Sequence, residues 1–195
     1  MYAKLAFWGL AAPRMIERVP LVVVQAVVCS EQGQVLLAVR GDLQGWELPG
    51  GTPKRGEALE EALCRELKEE TGLEVAIERV VGDYVRTGFR PHTARVFRCR
   101  ESGGCLRPSR ETPALRWFEP RALPDTLFPW YRLPIADAFG VPGAPVTRRE
   151  HQGLAAIFAG LRIDLKTRLR GIPNSSANPD RSCAEARSAR GHGRG

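Results

Sequence analysis

The sequence lacks any apolar run approaching the ~18 to 20 residues that a membrane-spanning helix requires. Its longest run, Leu21 to Cys29, is broken by Gln25 and reads as a buried strand. Cys29, Cys64, Cys99, Cys105 and Cys183 are odd in number and contain no CxxC pair, which argues against a zinc cluster and a regular disulfide framework. A reducing cytoplasm is therefore the simplest setting. Leu5 to Ala12 is closed by Pro13 and Arg14 and is thin for a secretion signal, so export is not expected. There is no internal repeat.

Acidic residues are also in deficit: 22 Asp and Glu against 29 Lys and Arg give a net charge of +7. An excess of this kind attracts anionic partners such as nucleic acid or membrane surfaces. Its location weakens that reading. Residues 1–140 hold 19 basic and 18 acidic side chains, whereas residues 141–195 hold 10 and 4. The core must be understood as nearly neutral, with a basic C-terminal part appended.

What is present is the grammar of an α/β domain. Leu21 to Cys29 and Gln34 to Arg40 are rich in β-branched and aliphatic residues, and the turn signal Ser30 to Gly33 between them predicts a hairpin. Trp46 to Gly51 is short and extended, ending in two glycines that allow close backbone approach. Strong helix formers fill the segment from Glu57 to Thr71, which Gly72 stops. Leu73 to Arg86, Thr93 to Arg100 and Ala114 to Phe118 read as strands, with turns near Ser102 to Gly104 and Pro108 to Ser109. Leu133 to Phe139 reads as a helix. Gly140 to Pro145 breaks the chain and is taken as the edge of the core.

These breaks divide the chain into an N-terminal extension (1–20), a core domain (21–140), a basic amphipathic helical segment (141–173) and a tail expected to be disordered (174–195). The helix is expected over Arg148 to Arg170. It carries Leu154, Ile157, Phe158, Leu161 and Leu165 on one side and should pack on the core or across a homodimer. A membrane-surface role is a less favoured reading.

The chemistry concentrates on the predicted helix. Glu66, Glu69 and Glu70 stand at i, i+3 and i+4, so at about 100° per residue they share an arc of about 100°. Clustered carboxylates repel one another, more so where water is excluded. A hard divalent cation relieves that repulsion, and oxygen donors on one rigid helix suit Mg²⁺ or Mn²⁺, ions that commonly bridge to substrate phosphates. Arg65 is placed to orient a carboxylate, most simply Glu57, by bidentate pairing. The Gly50-Gly51 turn leaves room for phosphate or metal. The competing reading of such a helix is a solvated face rich in Glu and Lys.

The complete pattern decides against that competitor. From Gly51 to Leu73 the chain matches GX5EX7REUXEEXGU at every fixed position, through Gly51, Glu57, Arg65, Glu66, Leu67, Glu69, Glu70, Gly72 and Leu73. The chain thus resembles the Nudix hydrolases, from about Val22 to about Phe139, with Trp46 to Gly51 and Trp117-Phe118 as supporting features. The resemblance implies an α/β/α sandwich with a mixed β-sheet. It also implies Mg²⁺- or Mn²⁺-dependent hydrolysis of a nucleoside diphosphate linked to another moiety. By position, Glu66, Glu69 and Glu70 match the metal-binding and water-activating glutamates. Glu57 and Arg65 match supporting residues, and Gly51 the glycine whose carbonyl joins the metal shell.

Outside the motif, Glu111 is the candidate general base or further ligand from a late loop. Arg90 and His92 are candidates for touching substrate phosphate. Phe89, Trp130 and Tyr131 are candidates for stacking on a base. The substrate expected is a small nucleotide: a nucleotide sugar, a dinucleotide or a modified nucleotide. An RNA 5′-pyrophosphohydrolase that holds RNA with the basic C-terminus is disfavoured by the near-neutral core. A catalytically silent ligand sensor is disfavoured by the intact glutamate set.

Overall fold

The computed structural model describes residues 21–41, 43–88 and 91–171. The expected N-terminal extension and C-terminal tail lie outside the described residues, as do Phe89 and Arg90. No described helix is long and apolar enough to cross a membrane.

Among the described residues, eight strands form one mixed sheet: β1 (Val22–Cys29), β2 (Val35–Val39), β3 (Trp46–Glu47), β4 (Gly50–Gly51), β5 (Leu73–Gly88), β6 (His92–Gly104), β7 (Ala114–Phe118) and β8 (Val146–Gln152). The order along the main path is β3-β2-β1-β6-β5-β8, with β4 paired to β1 and β7 to β2. The predicted hairpin is present, with Cys29 opposite Val35. β1 runs parallel to β6 and β5 parallel to β8, while the other pairs are antiparallel. The expected turn at Ser102 to Gly104 is instead the end of β6, where Gly104 pairs with Leu73.

A sheet covered on both faces explains the near-continuous apolar run of β1. Val24, Ala26 and Val28 face one core with Leu63 and Leu67 of helix α1 (Leu59–Thr71). Val27 and Cys29 face the other, with Ile135 and Ala138 of helix α2 (Arg132–Phe139). The result is the α/β/α sandwich expected from the sequence. Burying a leucine such as Leu63 or Leu67, both with no exposed surface, stabilises the sandwich by about 2 kcal/mol. Gly72 closes α1 in the left-handed conformation, φ 76°, and donates its N–H to the Lys68 carbonyl.

The C-terminal segment differs from expectation. The helix predicted to begin at Arg148 begins at Leu154, as α3 (Leu154–Arg170), and residues 146–152 form β8. Beyond the break at Gly140 to Pro145 the chain therefore rejoins the same sheet. The physical reason is the sixteen-residue β5, whose second edge needs backbone partners. Gly82 permits the pairing, since a Cβ there would lie 2.3 Å from the Val146 carbonyl oxygen. Arg148 then reaches α2 and donates two hydrogen bonds to Asp137, both 2.6 Å, while the Tyr84 hydroxyl donates to the same carboxylate at 2.7 Å.

The apolar side of α3 also faces away from the sheet. Its buried residues are Gly160, Ile163, Asp164 and Thr167, whereas Leu154, Phe158, Leu161 and Leu165 are exposed. Asp164 fixes this orientation by accepting the Gln44 backbone N–H at 2.7 Å.

Candidate active site

Helix α1 buries Ala62, Leu63, Leu67 and Thr71 against the sheet, which turns the glutamates beside that stripe toward β4. Gly50 and Gly51 pair with Gln25 and Val24 of β1, so the glycine turn is anchored to the central sheet. Glu66 lies against Gly51 so closely that a Cβ there would meet the carboxylate carbon at 2.3 Å. Glu70 reaches back and accepts the Gly50 backbone N–H at 3.0 Å. Gly51 is thus required by contact with Glu66, and Gly50 by the β1 backbone, since a Cβ there would lie 2.1 Å from the Val24 carbonyl oxygen.

Arg65 organises the opposite side of the cluster. It donates Nε–H and Nη2–H to the two oxygens of Glu57, at 2.7 and 2.9 Å, in the expected bidentate fork. Its Nη1 also donates to Glu66 at 2.9 Å and to Glu69 at 3.4 Å, so one guanidinium spans three carboxylates. Glu57 in turn accepts the Lys54 N–H at 2.7 Å, which shapes the loop before the helix. These hydrogen bonds, led by that from Arg65, hold the Glu57 carboxyl down at about 2.

Glu70 is in the opposite condition. Burial pushes its carboxyl up to about 7; the negative charges of Glu66 and Glu111 add to this, and the Gly50 N–H and Arg40 act against it. Glu111 thus stands within electrostatic reach of Glu70, on an exposed loop whose carbonyl accepts the Gly41 N–H at 2.9 Å. Among the described residues no three His, Cys, Asp or Glu side chains form a ready-made cation cage. Glu66 and Glu69 are engaged by Arg65, and Glu70 by the Gly50 N–H. The donors nonetheless fit a hard divalent cation. They are carboxylates on one helix, one of them half-buried and strained electrostatically by two others, beside a backbone kept free of side chains.

The remaining sequence candidates divide. His92 begins β6, with its Nε2 3.1 Å from Arg86 Nη1, and so belongs to a second cluster rather than to the glutamates. Arg86 is buried, lies over the Tyr131 ring at 5.3 Å and donates to the Trp130 carbonyl at 3.2 Å. Trp130 stacks on Phe128, with ring centroids 4.9 Å apart, and Tyr131 is buried in the core.

Sequence reasoning missed the polar link between the two clusters. The Tyr131 hydroxyl donates to Glu47 at 3.1 Å and accepts from Gln25 Nε2 at 3.4 Å, while Glu47 also pairs with Arg40 at 3.7 Å. The signal available was Gln25, a polar residue inside an otherwise apolar strand.

A hydrogen-bonded glutamate cluster set against a glycine turn, on a helix packed to a mixed sheet, defines a phosphate-handling hydrolase. Residues 19–138 match the family model described as NUDIX domain, and the chain belongs to that family as a pyrophosphohydrolase of the Nudix type. A "MutT-like protein" of Streptomyces ambofaciens is 38% identical over 137 residues, covering 70% of this chain and 87% of that protein. A "Putative 8-oxo-dGTP diphosphatase" of Bacillus subtilis is 36% identical over 132 residues, covering 67% and 89%. Among solved structures, an ADP-ribose pyrophosphatase of Streptococcus suis superposes with a TM-score of 0.54 at 27% identity, covering 68% of this chain and all of that one.

Proposed function

We propose that this protein hydrolyses the pyrophosphate linkage of a small nucleotide, with a modified nucleoside triphosphate or a nucleoside diphosphate linked to another moiety as substrate. The relative from Bacillus subtilis and the structural neighbour from Streptococcus suis carry names of these two kinds. The observation that carries the reading is the half-buried Glu70 carboxylate, held by Gly50 and opposed by Glu66 and Glu111.

Glu66, Glu69 and Glu70, with the Gly51 carbonyl, are the residues that would hold Mg²⁺ or Mn²⁺. When bound, such an ion supplies charge neutralisation on the phosphate oxygens and a water of lowered pKa. The protein's own contributions are positional and electrostatic. Arg65 fixes the directions of Glu57, Glu66 and Glu69 at once. The glycine turn lets the Glu66 carboxylate lie directly against the Gly51 backbone. Arg40, whose charge is felt at Glu70, contributes positive potential for substrate phosphate. Glu111, on its exposed loop, would be the group that accepts a proton from the attacking water.

A screen of modified nucleoside triphosphates, nucleotide sugars and dinucleotides, each with Mg²⁺ and Mn²⁺ and with products read by mass, tests this proposal. Metal-dependent cleavage within a pyrophosphate linkage, absent from Glu70→Gln, is expected. Cleavage that persists in that variant, or no turnover of any pyrophosphate compound, contradicts it.

A further inference from the structure

We propose that the outward face of α3 is the interface of a two-fold homodimer, in which α3 packs antiparallel against α3 of a second copy. Leu154, Phe158, Leu161, Leu165 and Leu169 are exposed by 73, 67, 41, 58 and 79%, on the side of the helix opposite its buried residues. Their spacing of four, three, four and four residues forms one continuous apolar stripe. The helix sends Gly160, Ile163, Asp164 and Thr167 inward, with Ile163 the one large apolar side chain among them, and presents most of its leucine and its phenylalanine to water, more than a helix that only covers its own sheet would expose.

A second copy suits this stripe for three reasons. The first is symmetry. A two-fold axis crossing midway between Phe158 and Leu161 sets Leu154 against the partner's Leu165 and Phe158 against the partner's Leu161. The same four positions therefore serve both chains, as an isologous contact requires.

The second is area. A fully exposed large apolar side chain offers roughly 150–250 Å². The five side chains thus present about 600 Å² per copy, the upper end for a patch on a monomer, and the four that pair across the axis enclose about 900 Å² between two copies before flanking side chains are counted, close to the lower bound of a specific interface.

The third is charge. Lys166 and Arg170 share Asp125 at 2.5 and 3.3 Å, and Arg168 pairs with Asp164 at 2.8 Å, so two carboxylates offset most of the charge of these three cations within each chain before two basic helices meet.

Sedimentation equilibrium of the full chain, with Phe158→Lys and Leu161→Glu variants, tests both the dimer and its register. The wild type should sediment at twice its 21.5 kDa chain mass at micromolar concentration. Each variant should sediment as a monomer with an unchanged circular dichroism spectrum. An equimolar mixture of the two should return to the dimer, because antiparallel pairing sets each introduced lysine against an introduced glutamate and leaves the other Phe–Leu contact intact. A monomeric wild type, or variants that remain dimeric, overturns the interface. A mixture that stays monomeric overturns the antiparallel register. A wild type that dimerises only after residues 1–20 are deleted, or that is a monomer binding anionic phosphatidylserine vesicles through this stripe, also overturns the proposal.

Discussion

The Glu70 carboxylate accepts the Gly50 backbone N–H at 3.0 Å, joining the last turn of α1 to the glycine turn paired with β1. This contact makes the site a property of the tertiary fold rather than of the helix alone. It draws a half-buried acid toward Glu66 and Glu111, where its ionised form is disfavoured until positive charge arrives.

Gly51→Ala should damage the site far more than the fold. The added Cβ would lie 2.3 Å from the Glu66 carboxylate carbon, and that side chain must swing away. We expect turnover to fall about 10–100-fold, the scale of losing a metal site's orientation, with the thermal midpoint shifted by only a few degrees. Steady-state kinetics alongside calorimetric melting measure the two effects separately.

Arg65→Lys tests whether the guanidinium is used as a fork. Lysine retains the charge but cannot engage both Glu57 oxygens while also reaching Glu66 and Glu69. We expect a loss of about tenfold or more in kcat, with Arg65→Ala lower still. Equal activity of the lysine variant and the wild type would show that charge alone suffices.

The attachment of β8 should be acid-sensitive through Asp137. Hydrogen bonds from Arg148, and secondarily from Tyr84, hold its carboxyl below the ordinary value of 3.8. A group lowered in the folded state stabilises the fold above its unfolded pKa, and that contribution is lost as pH falls through the folded value. Urea unfolding should therefore show Asp137→Asn less stable than wild type above about pH 4, with the difference shrinking as the medium is acidified below that. A constant difference down to pH 2 would dissociate Asp137 from the effect.

Gly82→Ala probes the same attachment from the other strand. A Cβ would meet the Val146 carbonyl oxygen at 2.3 Å, so β8 must shift or separate from β5. A loss of about 1–3 kcal/mol is expected, and faster amide exchange should be confined to the start of β8. Exchange rising instead across β1 and β6 would point to a global defect.

The central fold was readable in the sequence because its signals are local. β1 and β2 are runs dominated by β-branched and aliphatic residues, β7 joins aliphatic to aromatic ones, and α1 combines helix formers with a glycine stop. The Glu57–Arg65 pair could also be anticipated, because eight residues across a loop and two helical turns bring the two side chains together. β8 could not, since Val146–Gln152 is mostly polar and becomes a strand only because β5 offers it an edge. The outward stripe of α3 was hidden for a related reason. Periodicity identifies an apolar face but not its direction, which here is set by Asp164 accepting from Gln44, 120 residues away in sequence. The Gln25–Tyr131–Glu47 link was signalled only by Gln25, and its partners could not be named because they lie 106 and 84 residues apart.

Glu66, Glu69 and Glu70 are proposed to form a divalent-cation site that serves pyrophosphate hydrolysis. Its most direct test is Mn²⁺ binding to the full chain, followed by electron paramagnetic resonance as the loss of free-ion signal, for the wild type and for Glu66→Gln/Glu70→Gln. The wild type should bind Mn²⁺ saturably and compete with Mg²⁺, and the double variant should lose at least about tenfold in affinity while keeping its fold. Equal affinity in the two proteins would place the cation elsewhere and contradict the account.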